Sequence, residues 1–125
     1  MLTVRSLLEE LELNARVEGG DGDRQIRWVH ISELEDPTPF LTGGELLLTT
    51  GINLTSAARQ RKFISLLAER EAAGLGFGTG FDHAELPPAL IEEAESRGFP
   101  LFEVPYEMPF IAITECAFTK LVNEG

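Results

Sequence analysis

Two histidines, His30 and His83, and a single cysteine, Cys116, are the side chains best suited to acid–base or nucleophilic work in this 125-residue chain. A general base must lie within hydrogen-bond reach of the group it deprotonates. His30 falls inside the alternating run "IRWVHIS" and His83 in the loop "GFDHAEL", and neither spacing pairs it with a nucleophile. Cys116 sits in an apolar helical stretch, where a lone thiol behaves as a small core side chain. Asp82, His83 and Glu85 form a local cluster that a solvated acidic loop explains, and the HExxH metal spacing is missing. No catalytic residue, metal ligand or cofactor is therefore expected, and the chain reads as a non-enzyme.

Binding chemistry is better represented. The stretch "GGELLLTTG", residues 43–51, runs from an apolar strand into two hydroxyls and a glycine. In open parallel sheets, ligands sit outside the carboxyl ends of the strands. Those ends read here as Ser32 and Glu33, then Thr49, Thr50 and Gly51, then Thr79 and Gly80, then Glu103 and Pro105. Hydroxyls, carboxylates and backbone amides of this kind suit a small polar ligand such as a purine-derived ring or a ureide. They lack the arginine or lysine cluster that favours phosphate. Glu33, Thr49, Thr50 and Glu103 are expected around one polar crevice. The plainer alternative is that Thr49 and Thr50 cap the sheet and bond to neighbouring backbone.

Positioning these residues requires a sheet. Thr3 to Leu11 has helical spacing, with Val4, Leu7, Leu8 and Leu11 on one face. Ala15 to Val17 reads as a short strand before the turn at residues 19–23. Ile26 to Ser32 alternates as a strand. "ELEDPTPFLTGG" is a connection with room for one turn around Thr38 to Leu41. Leu46 to Thr50 is a strand. A helix runs from about Thr55, with Ile64, Leu67, Ala68 and Ala72 apolar and Gly74 as its natural end.

"GLGFGTGF" places Gly74, Gly76, Gly78 and Gly80 on one face of the next strand. That bare face admits either a tightly packed helix or a ligand. Pro87 or Pro88 opens a helix ended by Gly98. Pro100 to Val104 is a strand, and Pro109 starts a last helix to about Val122. This alternation predicts a single small α/β domain, its mostly parallel sheet of about four to five short strands covered by helices.

The last helix carries two apolar stripes. Phe110, Ile113, Ala117 and Leu121 form one; Ile111, Phe118 and Val122 form the other. A helix on one face of a sheet needs only one. Phe110, Ile111, Phe118 and Val122 are thus candidate interface residues, for a second copy of the chain or a downstream domain. Alternatively, the Thr3–Leu11 helix covers the extra stripe.

Composition bounds the partners. The formal net charge of −11 opposes phosphate backbones and anionic membranes. One cysteine precludes an internal disulfide, and neither a secretory signal nor a membrane-length apolar run is visible. A cytoplasmic protein without direct nucleic-acid or membrane binding is expected.

With its elements placed, the chain resembles the N-terminal domain of the purine catabolism regulator (PucR) family of bacterial transcription factors. The resemblance rests on Leu2-Thr3-Val4-Arg5, Arg27-Trp28-Val29-His30, Ser32-Glu33-Leu34, Asp36-Pro37 and the run from Gly43 to Gly51. Pro100-Leu101, Glu103-Val104-Pro105, Pro109-Phe110 and Ile113-Thr114-Glu115 complete it. It implies a regulatory or ligand-sensing domain over residues 1–125. The middle domain and C-terminal helix-turn-helix of full-length members would be absent from this chain. The resemblance carries over no binding residues. A metabolite sensor is thus expected, with a ligand-free dimerisation or interaction module as the alternative.

Overall fold

The computed structural model describes residues 1–20 and 22–124. Helix α1 spans Val4–Glu10 and begins where Thr3 and Ser6 cap one another. Strand β1 is two residues, Glu18–Gly19. Strand β2 is Trp28–Ile31, and a single 3-10 turn covers Thr38–Phe40. Then β3 (Glu45–Thr49), α2 (Ala57–Glu69), β4 (Gly74–Gly78), α3 (Pro88–Arg97), β5 (Pro100–Val104) and α4 (Phe110–Glu124) alternate.

The sheet has the order β1-β5-β4-β3-β2. Strands β2 to β5 are mutually parallel, and β1 pairs antiparallel with β5. This is the single α/β domain expected: α2 and α3 join β3 to β4 and β4 to β5, and a longer loop with the 3-10 turn joins β2 to β3, because parallel neighbours cannot be joined by a hairpin. Two departures have local causes. The strand expected at Ala15–Val17 begins three residues later, at Glu18–Gly19, because it is glycine that meets β5. A Cβ on Gly19 would lie 2.4 Å from the Phe99 carbonyl oxygen. Gly74 opens β4 instead of ending α2, which stops at Glu69 with Arg70 as its C-cap. Asp21, in the expected turn at residues 19–23, lies outside the described residues.

Side chains alternate across the sheet into two cores. Leu47, Leu75, Phe77 and Leu101 meet Phe63, Ile64 and Leu67 of α2 and Leu90 and Ala94 of α3. Leu46, Leu48, Phe102 and Val104 meet Val4, Leu7 and Leu8 of α1 and Ile113 and Ala117 of α4. The glycine face of β4 belongs to this second core. A Cβ on Gly76 would lie 2.7 Å from Leu48 Cδ2 and 2.9 Å from Phe102 Cζ. One on Gly78 would lie 3.0 Å from Phe110 Cζ. The bare face is therefore filled by rings from β5 and α4.

At the amino end of β3, the Glu45 carboxylate holds the preceding turn. It accepts from the Thr42 N–H at 2.8 Å, the Thr42 hydroxyl at 3.0 Å and the Gly43 N–H at 2.9 Å. Burial pushes this carboxyl up, but the Thr42 and Gly43 donors outweigh it and leave the group below its ordinary value of 4.5. A carboxyl lowered on folding adds stability above its unfolded value, and loses it as pH falls through the folded value. Glu45→Gln should therefore be less stable than the parent at neutral pH. The gap should close as pH falls below about 4.5, in urea unfolding across a pH series. A gap that does not change with pH would remove the carboxylate from this role.

Candidate functional site

The carboxyl ends of β3, β4 and β5 come together at one edge of the molecule. Thr49, Phe77 and Glu103 stand in one row across the sheet. Around that row the polar residues expected from the sequence form two groups. In the first, the Glu33 carboxylate accepts from the Thr49 hydroxyl at 2.8 Å and from the Thr50 N–H at 2.8 and 3.1 Å. Asn53 donates to the Glu33 carbonyl at 2.6 Å. In the second, the Thr79 hydroxyl donates to Glu103 at 2.6 Å. Phe77, fully buried, lies in the row between them. Ser32 closes its own turn by accepting from the Leu34 N–H at 3.1 Å.

Gly51 and Gly80 anchor the loops after β3 and β4. Gly51 has φ +73°, and a Cβ there would lie 2.4 Å from Phe77 Cζ. Its carbonyl faces His83 Nε2 at 3.0 Å, and the His83 ring meets Phe77 edge-on at 5.4 Å. His83 thus clips two loops together. A Cβ on Gly80 would lie 2.8 Å from Tyr106 Cβ, so the glycine lets the Tyr106 side chain approach.

Beside the first group, on the α4 side, lies a cleft of about 370 Å³. Its walls include Thr50, Gly78, Phe81, Val104, Tyr106 and Phe110. That volume falls in the lower part of the ~300–1,000 Å³ range of small-molecule sites. Phe81 and Tyr106 stack at the mouth with ring centroids 5.0 Å apart, and both are more than half exposed. Of the expected ligand residues, Thr50 lines this cleft. Glu103 lines a separate groove against Leu13 to Arg16. Phe81 and Tyr106 were not singled out from sequence as site residues. The available signal was the glycine spacing, since Gly78 and Gly80 are bare where Phe110 and Tyr106 lie.

The candidate interface residues divide. Phe110 is half-buried at the cleft, while Ile111, Phe118 and Val122 stay exposed along α4. Helix α1 lies beside α4 in the same layer, joined by Lys120 and Glu10 at 3.4 Å, and leaves this outer stripe open. The stripe continues onto β2. Trp28 meets Phe118 edge-on, ring centroids 5.9 Å apart, over a groove of about 300 Å³, and Ile31 is exposed beyond. β2 is also the outermost strand, so one side of its backbone has no strand partner.

Cys116 is half-buried on α4. Burial, then the Glu10 carboxylate, pushes its thiol up, against a smaller opposing effect of Lys120. It is therefore poorly suited to act as a thiolate. Among the described residues, no helix is long and apolar enough to cross a membrane.

A family model described as "Purine catabolism regulatory protein-like family" matches residues 5–121. The chain is 42% identical over 119 residues to the Transcriptional activator PmfR of Paenarthrobacter nicotinovorans, covering 90% of this chain and 25% of that protein. It is 35% identical over 103 residues to the Purine catabolism regulatory protein of Bacillus subtilis (strain 168), covering 82% of this chain and 19% of that protein. The chain thus spans a quarter or less of the length of these curated relatives. No solved structure matches it.

Removing the Glu33 carboxylate would leave the buried Thr49 hydroxyl and the Thr50 amide without their acceptor. Unpaired groups of this kind cost about 1–3 kcal/mol. Glu33→Ala should lose that much in urea unfolding, and Glu33→Gln, which keeps an acceptor oxygen, should recover part of it. An alanine variant as stable as the parent would show that the carboxylate is no strut.

Proposed function

The chain belongs to the purine catabolism regulatory protein-like family, and from that premise we propose that it is the regulatory domain of a bacterial transcription regulator, receiving a small-metabolite signal at the carboxyl ends of its parallel strands. The observation that carries this reading is the cleft between Thr50, Gly78 and the first turn of α4. It lies where open parallel sheets present ligands. Phe110 lines it from the same helix whose adjacent, exposed face carries Ile111, Phe118 and Val122. Occupancy of the cleft would bear directly on how that helix is seated. The ligand class proposed is a small metabolite with polar edges, purine-derived compounds included. At −11 the chain itself is not proposed to hold DNA or RNA. A cytoplasmic setting accords with this role.

A second reading, compatible with the first, is self-association through α4 and β2. It is favoured by the exposure of Ile111, Phe118 and Val122 on α4, by the contact of Phe118 with exposed Trp28, and by the neighbouring strand edge of β2. Burying one such side chain is worth about 1.5–3 kcal/mol, so a second copy covering several would be held firmly. The occupant proposed is another copy of this chain, forming a homodimer.

A thermal-shift screen of purine-pathway and nitrogen metabolites tests the sensing reading. A true ligand at a hundredfold excess over its dissociation constant should add ~2.7 kcal/mol of apparent stability. A screen in which none stabilises the chain counts against it. Sedimentation tests the dimer. The chain should sediment as a dimer, more tightly at higher salt because two acidic copies repel. Trp28, the only tryptophan, should shift its emission to the blue as concentration rises. Phe118→Glu should give a folded monomer, because a buried unpaired carboxylate opposes association. A wild-type monomer at high micromolar concentration would end the dimer reading.

A further inference from the structure

The aromatic cleft carries more information than its position. We propose that it takes a flat aromatic ring that is uncharged or cationic, stacked against Phe81 and Tyr106, and that it turns away anions of the same size. This rests on the reading that the cleft receives a metabolite, and it specifies which chemistry that metabolite has.

Three observations carry it. First, no lining side chain bears a charge. Besides the rings, the walls are glycine, proline, valine and methionine, and the polar side-chain groups are the hydroxyls of Thr50 and Tyr106. A carboxylate or phosphate entering here would lose its water without gaining a cation. The neutral edge of a ring bearing an amide or amine needs only one or two such partners, and no other hydrogen bond engages the Thr50 hydroxyl among the described residues.

Second, the rings are placed for contact from outside. Phe81 is 54% and Tyr106 62% exposed, tilted 45° to one another at the mouth. The glycines at 78 and 80 leave space that a Cβ would fill, which allows Phe110 and Tyr106 to close on the backbone. Two exposed aromatic faces and a third ring within form a site for a planar guest, since offset and tilted ring pairs are worth ~0.5–1.5 kcal/mol beyond area alone.

Third, the two exposed rings have acidic chain neighbours. Asp82 follows Phe81 and Glu107 follows Tyr106 in the sequence, and both are exposed. With a net charge of −11 behind them, these carboxylates repel anions and draw cations toward the ring faces, where cation–π attraction adds to binding.

A matched series of small probes isolates the two variables. Benzamide, benzamidinium, benzoate and cyclohexanecarboxamide are alike in size and differ in charge or flatness. Tyr106 is the only tyrosine, so its ring protons report on the cleft in NMR titrations of the chain. Benzamide and benzamidinium should shift those protons in a saturable way. Benzoate and cyclohexanecarboxamide should bind at least about tenfold more weakly, a gap of ~1.4 kcal/mol. Phe81→Ala, a change at an exposed ring, should lose the benzamide response while melting at the parent temperature.

Equal binding of benzoate, or of the saturated amide, overturns the proposed ligand class. So does a Phe81→Ala variant that binds benzamide unchanged. Failure of all four probes to move Tyr106 overturns the site. The metabolite thermal screen separates this from the sensing reading. A metabolite that stabilises the chain without moving Tyr106 preserves sensing and refutes this cleft. Silence in both refutes both.

Discussion

The absence of side chains on one face of β4 is the constraint from which much of the architecture follows. Gly74, Gly76 and Gly78 leave a trough along a central strand, and a trough in a protein interior must be filled because voids forfeit dispersion contacts on every lining atom. Leu48 and Phe102 reach in from the neighbouring strands, and Phe110 reaches in from α4. That filling fixes how deeply α4 sits on the sheet. It also places the amino end of α4 over the carboxyl ends of the strands, where the aromatic cleft forms. The same glycines that would weaken an isolated strand thus let the helix layer come close.

A second pattern is the use of carboxylates as internal struts. Glu45 holds the turn before β3, and Glu33 holds the turn after it. Glu103 fixes Thr79 at the end of β4. Each is partly or largely shielded by the chain, and each accepts from N–H or O–H groups that would otherwise be unpaired. Some of the acidity of the chain is therefore structural. The rest lies in loops and on helix surfaces, where Arg61 and Arg97 pair with Glu92 and Glu93.

The sequence was most informative where periodicity was strong. Leu46 to Leu48, the glycine run and Pro100 to Val104 could each be read as strands because apolar or glycine repeats leave little choice of element. The two-stripe character of α4 was legible too, since 3.6-residue spacing alone separates Ile111, Phe118 and Val122 from Ile113 and Ala117. Side-chain partnership was less legible. A glutamate after a strand looks the same in sequence whether it faces a ligand or a neighbouring threonine, and Glu33 and Glu103 both face threonines. Phe81 and Tyr106 meet from positions 25 apart in the chain, a contact that no local pattern encodes. The Glu45 strut was hidden for a different reason. Its carboxylate turns back toward Thr42 and Gly43, a reversal that depends on the conformation of the glycine pair.

The sheet is asymmetric at its edges. On one side, the sheet ends in β1, which pairs antiparallel with β5 over two residues and packs Gly19 against the Phe99 carbonyl, so it offers only a short edge. On the other, β2 ends the sheet in the open. A sheet with two open margins can add copies at both and grow without limit, which is the route to fibres. One with a single long margin joins best to another like it, by a two-fold rotation. With β1 only two residues long, β2 is the longer backbone edge of this sheet, so any edge-to-edge joint would favour β2 and close on itself.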